Sequence, residues 1–423
     1  KTAGPEEVQA IPAAILRMKG PDLMRQVGNA IASMPSANAQ ASLIRILAAR
    51  SATDRLYDVM PLLNAKDTVV KNAAYAALKN MVGPENLPIL FNLLVRTTNP
   101  GQIRSVQEAI VSATAGIKNK SRRVPVVEAE MIKKQTKQSF YYDILSGIGD
   151  QRAMNLLMNR YDNGDGQTKR EVALALSSCT SSMAIEPLLK ISRDTTGADY
   201  FDPALNGYIR LTERSQFPPE QKFLMLRNAM DIARTEAQKK TILRDMRNCR
   251  TLPALLYAGR FLDDPSLRQE AAALVMRLAL SSNEWYGDTI RTLLQKSDAL
   301  LSGPDADYER QAIAKHLAEM PAGEGFVPLF NGKDLTGWKG LLGNPIQRAK
   351  ADSEMLGKMQ VVADARMRSA WYVQHGELIF SGKGDNLCTV KKYGDFEMYV
   401  DWKINKNGDA GIYLRGSPQV QIW

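Results

Sequence analysis

The sequence is poor in the residues that build disulfide and metal sites. Its three cysteines, Cys179, Cys249 and Cys388, lie far apart and form no Cys-x-x-Cys pair. They read as buried thiols and not as a disulfide framework. Only two histidines occur, His316 and His375, which excludes a multi-histidine metal site within the chain and with it most zinc hydrolase schemes. His316 stands in the helical pattern "AIAKHLAEM" and is expected to pack or to face solvent. No run of 18 uncharged apolar residues exists. Even "AAALVMRLAL" (271–280) is broken by Arg277, which argues against a transmembrane helix. Charge of one sign is only in modest excess. The net charge of +10 comes from 55 basic residues set against 45 acidic ones, spread along the chain. The cluster "KNKSRR" (118–123) reads as a solvated loop, so nucleic acid is not an expected partner. The sequence opens on Lys1 with no Met or apolar leader, and a processed or trimmed chain is the expectation.

What is present falls into two grammars. At 423 residues the chain has room for two or three domains with substantial cores. From about Pro5 to Pro321 apolar residues recur at three- and four-residue intervals. In "VVKNAAYAALKNM" (69–81) Val70, Ala73, Ala74, Ala77 and Leu78 share one stripe. Comparable runs start at Gln102, Lys169, Leu267 and Tyr308. Lys71, Arg104 and Arg170 open three such helices at separations of 33 and 66 residues, one and two units of a period near 33. Breakers such as "GPEN" (83–86), "NGDGQ" (163–167), "DDPS" (263–266) and "SGPD" (302–305) supply caps and turns between them. This pattern resembles HEAT-like repeats, although its spacing drifts after Ala204. The predicted fold class is therefore α plus β in separate domains. An N-terminal α-solenoid of helical hairpins over 1–321 is followed by the start of a β-sandwich over 322–423. The solenoid offers either a concave surface for a protein partner or a plain scaffold. It contains no phosphate loop, nucleophile elbow or carboxylate constellation.

After "PAGEG" (321–325) the text becomes short, turn-rich and aromatic, with a helical-looking insertion over 341–370. "WYVQHGELIFSG" (371–382) reads as a hairpin turning at His375-Gly376. In "FEMYVDWKI" (396–404) strand alternation puts Phe396, Met398, Val400, Trp402 and Ile404 on one face and Glu397, Tyr399, Asp401 and Lys403 on the other. In the following runs Ile412, Leu414, Val420 and Ile422 join the core. Tyr413, Arg415, Gln419, Gln421 and Trp423 face away. A polar outer face is ordinary for an antiparallel sheet. This one is rich in Tyr, Trp and Arg, which suit the apolar faces and hydroxyl edges of sugars.

The runs "FVPLFNGKDLTGWKG", "GELIFSGKGDNLCTVKKYGDFEMYVDWKI" and "GDAGIYLRGSPQVQIW" resemble the opening half of the 3-keto-disaccharide hydrolase domain family. The likeness covers 99 residues, Gly325 to Trp423, with "LFNGKDLTGW", "YGDFE" and "GIYLRG" in order. It implies a concanavalin- or laminarinase-like jelly roll with its site on the concave face. It also implies a role in bacterial carbohydrate catabolism, in the periplasm or cell envelope, and helical repeats are familiar companions of such domains. The run breaks off within a predicted strand, and the sequence is expected to be part of a longer one that completes the sandwich.

A two-carboxylate glycosidase needs its pair about 5–5.5 Å or about 6.5–9.5 Å apart. Glu397 and Asp401, four apart in one strand, would be separated by about 13 Å. The resemblance points to a different route. A ketone at C3 acidifies the C2 hydrogen, one base removes it, the C1 substituent leaves, and water adds to the enone. Facing and charge nominate Asp401 or Glu397 as the base, with Lys403 and Arg415 as electrostatic partners for the enolate. Tyr399, Tyr413, Gln421 and Trp423 would orient the sugar. The alternative is a glycan-binding or protein-interaction module without catalysis. No cofactor is identified. A structural calcium would find no Asp-rich loop, and "NKNGD" (405–409) reads as a turn.

Overall fold

The computed structural model describes residues 12–134, 137–194, 197, 199–414 and 418–422. The molecule is mostly helical, with a few short strands near the C-terminus. It divides into two compact units, Lys1–Cys249 and Arg250–Trp423.

In the first unit six helices follow one another in a packing series. They are α1 (Ala37–Ala49), α2 (Thr68–Met81), α3 (Pro100–Ala115), α4 (Ser139–Ile148), α5 (Gly166–Ser177) and α6 (Phe201–Arg214), and each packs on the next. Helices such as Leu87–Arg96 and Gln151–Asn163 run between them. The predicted stripe of α2 is the buried one: Val70, Ala73, Ala74, Ala77 and Leu78 all lie in the core. Alanines there let neighbouring helices approach closely. Helix starts are set by side chains that accept orphan backbone N–H groups: Ser36 for α1, Asp67 for α2, Asn99 for α3 and Asp165 for α5.

Several polar contacts in this unit join residues 28 to 33 apart. The Gln107 side chain donates to the Phe140 carbonyl, 33 residues on, and Ser146 donates to the Ala175 carbonyl, 29 residues on. Arg210 donates to the Ser177 carbonyl at a separation of 33. Lys79–Glu108, Lys190–Asp162 and Arg170–Asp199 ion pairs span 29, 28 and 29 residues. Those pairs also occupy basic residues that a free cationic face would need.

The second unit begins with helices α7 (Leu252–Gly259), α8 (Arg268–Ala279), α9 (Asp288–Leu300) and α10 (Ala306–Glu319), packed in sequence. His316 sits half-buried in α10, and burial holds its pKa below the ordinary value. Then come β1 (Trp338–Gly340), α11 (Pro345–Lys350), α12 (Ser353–Ala370) and the strands β2 (Trp371–Gln374), β3 (Glu377–Phe380), β4 (Leu387–Thr389), β5 (Ala410–Tyr413) and β6 (Gln419–Ile422). They form three antiparallel two-stranded ribbons, β1–β4, β2–β3 and β5–β6. Helix α12 buries Ala363, Met367 and Ala370 and packs against β1 and β2.

The β2–β3 hairpin turns where the sequence predicts. His375 and Gly376 both have positive φ, 53° and 78°, as a type I′ turn requires. The strand predicted over 396–404 is not found: these residues enter no ladder. Three of its five predicted core residues, Phe396, Val400 and Trp402, are 45%, 52% and 57% exposed. Alternation supplies an apolar face, but a strand also needs a neighbour for its N–H and C=O groups. No described segment pairs with this one.

Candidate functional site

The motif "NGKDLTGW" forms a loop tied by side chains to its own backbone. The Asn331 carbonyl oxygen accepts from the Lys333 and Asp334 amides at 2.8 and 3.0 Å. Its amide donates to Asp334 Oδ1 at 2.8 Å, and the same oxygen accepts from the Thr336 amide at 2.8 Å. The Thr336 hydroxyl, the Asn331 amide and the Thr336 N–H stabilise the charged carboxylate and hold the Asp334 pKa down at about 2. Asp334 is thus a loop hub fixed as an anion.

Gly340, which closes β1, is gripped from α12. Its N–H donates to Asp364 at 2.9 Å, and its carbonyl accepts from Gln360 at 3.0 Å. The Gly340 amide keeps the Asp364 carboxyl below the usual range. A Cβ here would fall 2.2 Å from the Ala363 carbonyl oxygen, so only glycine fits. Across the ribbon, Lys339 pairs with Cys388, whose thiol is pushed up by burial against the opposing pull of Lys339 and Arg348.

The segment that carries most of the nominated residues is held by aromatic and ionic contacts. Lys391 bonds Glu324 at 3.0 Å, which raises its pKa, and lies 5.6 Å from the centre of the Tyr393 ring. Tyr393 meets Phe396 edge-on at 6.4 Å. Tyr399 packs on Phe326 with ring centres 5.8 Å apart, and its hydroxyl donates to Glu397. Glu397, Asp401 and Lys403 are all exposed on this segment. Because it lies outside any ladder, the 6.6 Å strand spacing no longer follows for Asp401 and Lys403.

A turn then leads to the last ribbon. Gly408 donates to the Asn405 carbonyl at 2.8 Å and Asn407 takes φ 64°, so "NKNGD" is a turn. In β5–β6, Ile412 pairs with Val420 and Ala410 with Ile422 on one face. Tyr413 pairs with Gln419 and Gly411 with Gln421 on the other, which places Tyr413 and Gln421 on a common face as predicted. The Gln421 amide donates to Asp409 and, at 3.1 Å, to the Ala410 carbonyl. Arg415 and Trp423 lie outside the described residues.

The structure therefore brings together Glu397 with Tyr399, and Tyr413 with Gln421. It adds Phe326, Lys391, Tyr393 and Asp409, which sequence reasoning did not nominate. Phe326 and Tyr393 stand within or beside the quoted motifs, but their meeting with Tyr399 and Phe396 depends on tertiary contact. Among the described residues no group of three or more His, Cys, Asp or Glu is arranged to hold a metal ion, and no helix is long and apolar enough to cross a membrane. Two open clefts, of about 500 and 460 Å³, lie among helices of the first unit, the larger lined by Arg45, Asn72 and Asn80 over alanines. Neither contains a nominated residue.

Residues 325–423 match the family model described as the 3-keto-alpha-glucoside-1,2-lyase-like domain, in agreement with the resemblance carried by the three motifs. A curated protein of Bacteroides thetaiotaomicron named 3-keto-disaccharide hydrolase is 26% identical over 99 residues. The match covers 21% of this chain and 27% of that relative, so the chain spans about a quarter of the relative's length. A solved structure described as computational design of self-assembling cyclic protein homooligomers aligns with 74% of this chain and 95% of its own. Its identity is 12% and its TM-score 0.11, too low to argue a shared fold.

Proposed function

We propose that the segment 322–423 belongs to a jelly-roll domain that processes 3-keto-glycosides, and that 1–321 is a stacked α-solenoid serving as a docking or scaffold arm. The observation that carries the first part is the match of 325–423 to a 3-keto-alpha-glucoside-1,2-lyase-like domain. The second part is supported by the helix-on-helix series and by the polar contacts spaced 28 to 33 residues apart. Such spacing is what a hairpin repeat stacked on its neighbours produces. A location in the cell envelope or periplasm of a bacterium goes with this reading.

The chemistry follows from the substrate. The C3 ketone lets a single carboxylate, Asp401 or Glu397, take the C2 proton as the electron pair moves into an enolate. The enolate collapses, the C1–O bond breaks, and the leaving sugar carries off that oxygen and a proton. Water added across the enone restores the 3-keto sugar, for a net hydrolysis. Lys403 and Arg415 are proposed to stabilise the enolate oxygen, which is where charge develops. The Glu397–Tyr399 pair and the rings of Tyr399, Tyr413 and Trp423 would hold the sugar, with Gln421 bonding its hydroxyls. Asp401→Asn and Glu397→Gln, assayed on a 3-keto-disaccharide, test the base. The base's variant is expected to lose about 10²-fold or more in kcat. Undiminished turnover in both variants would remove both carboxylates from the role.

A second reading, binding without turnover, is favoured by the exposure of Phe396, Tyr399, Trp402 and Tyr413. Such rings can stack on sugar faces without any catalytic group. It predicts equal affinity for oxidised and ordinary disaccharides and no product from either.

A further inference from the structure

The sequence contains four Asn-Gly pairs, at Asn163, Asn206, Asn331 and Asn407. An asparagine followed by glycine can lose ammonia when the glycine amide nitrogen attacks the side-chain carbonyl carbon. A C–N bond forms, the C–NH2 bond breaks, and water then opens the succinimide to aspartate or isoaspartate. Glycine offers no side chain to hinder the attack, so local structure decides which pairs react.

Three of the four pairs are restrained. Gly207 lies buried inside helix α6, its backbone held in helical geometry. The Asn331 side chain makes three hydrogen bonds, two accepted from backbone amides and one donated to Asp334. The Asn163 amide donates to the Asn159 carbonyl at 3.0 Å, in the last turn of its helix. Asn407 differs. It is exposed, it takes φ 64° in a short turn, and among the described residues its side chain makes no hydrogen bond. A single backbone bond, Gly408 N–H to the Asn405 carbonyl at 2.8 Å, closes that turn. Opening one exposed bond requires far less local unfolding than opening a helix interior or a three-bonded side chain.

We propose that Asn407 is a spontaneous modification site, converting to aspartate and isoaspartate ahead of the other three pairs. The position matters because this turn joins the segment bearing Glu397, Asp401 and Lys403 to the ribbon bearing Tyr413 and Gln421. Isoaspartate adds a backbone carbon and a carboxylate two residues before Asp409, which holds the Gln421 amide. Ageing at this turn would change the register between the two halves of the candidate site.

The full chain would be incubated at mildly alkaline pH and peptide-mapped by mass spectrometry, with isoaspartyl methyltransferase labelling to mark the rearranged product. The Asn407 peptide is expected to convert at least about tenfold faster than those of Asn163, Asn206 and Asn331, the ratio given by a barrier difference of ~1.4 kcal/mol. In strong denaturant the four rates should converge. Similar rates in the folded chain, or a lead by any other pair, would overturn the proposal. So would a preference for Asn407 that persists unchanged in denaturant, because it would then owe nothing to the fold.

Discussion

At the residue scale, Asp334 shows how a motif position can be structural and still look catalytic. An acidic residue in a Gly-flanked loop suggests chemistry, yet its Oδ1 is taken up by the Asn331 amide and the Thr336 N–H. Its depressed pKa gives a signed expectation. The stabilisation is fully present above the unfolded carboxyl value of about 4 and disappears as pH falls toward about 2. Asp334→Ala should therefore melt below the parent protein at neutral pH, and the gap should close as the buffer is taken down to about pH 2. A gap that stays constant with pH would show that the charged form has no special role. Gly340 makes the same point through space instead of charge, since its constraint comes from Ala363, 23 residues away, and no local pattern signals it.

At the level of elements, two neighbouring predictions met different ends for one physical reason. The β2–β3 hairpin could be read from "WYVQHGELIF" because both partners and their turn lie within ten residues. Histidine tolerates positive φ less well than asparagine, the preferred residue before glycine in a type I′ turn. His375→Asn is expected to stabilise the unit by about 0.5 kcal/mol, read from a denaturant midpoint shift at constant m. A lower midpoint would contradict the turn assignment. The segment 396–404 has stronger alternation than either of those strands, but alternation says nothing of a pairing partner. Its aromatic contacts, Phe326 with Tyr399 and Tyr393 with Phe396, were invisible for the same reason. The helices were more legible because their hydrogen bonds are internal. The stripe of α2 and its Asp67 cap need no distant residue to form.

For the whole molecule, the repeat spacing seen in Lys71, Arg104 and Arg170 has its counterpart in contacts between successive helices. Ser146 illustrates the coupling: its buried hydroxyl donates at 2.7 Å to the Ala175 carbonyl in the next helix of the series. Ser146→Ala should cost about 1 kcal/mol in equilibrium unfolding, since it removes a buried hydrogen bond and leaves the Ala175 carbonyl with only the Ser178 hydroxyl as donor. No measurable loss would show that this hydrogen bond adds nothing to the packing of the two helices. At the other end of the chain a 3-keto-glycoside is proposed to be cleaved by removal of its C2 proton. Proton NMR of a 3-keto-disaccharide incubated with the protein in heavy water tests this most directly. The C2 hydrogen signal is expected to be lost to solvent deuterium as the leaving sugar is released, while the unoxidised disaccharide is untouched. Release of the sugar with the C2 hydrogen retained, or neither exchange nor release, would contradict it.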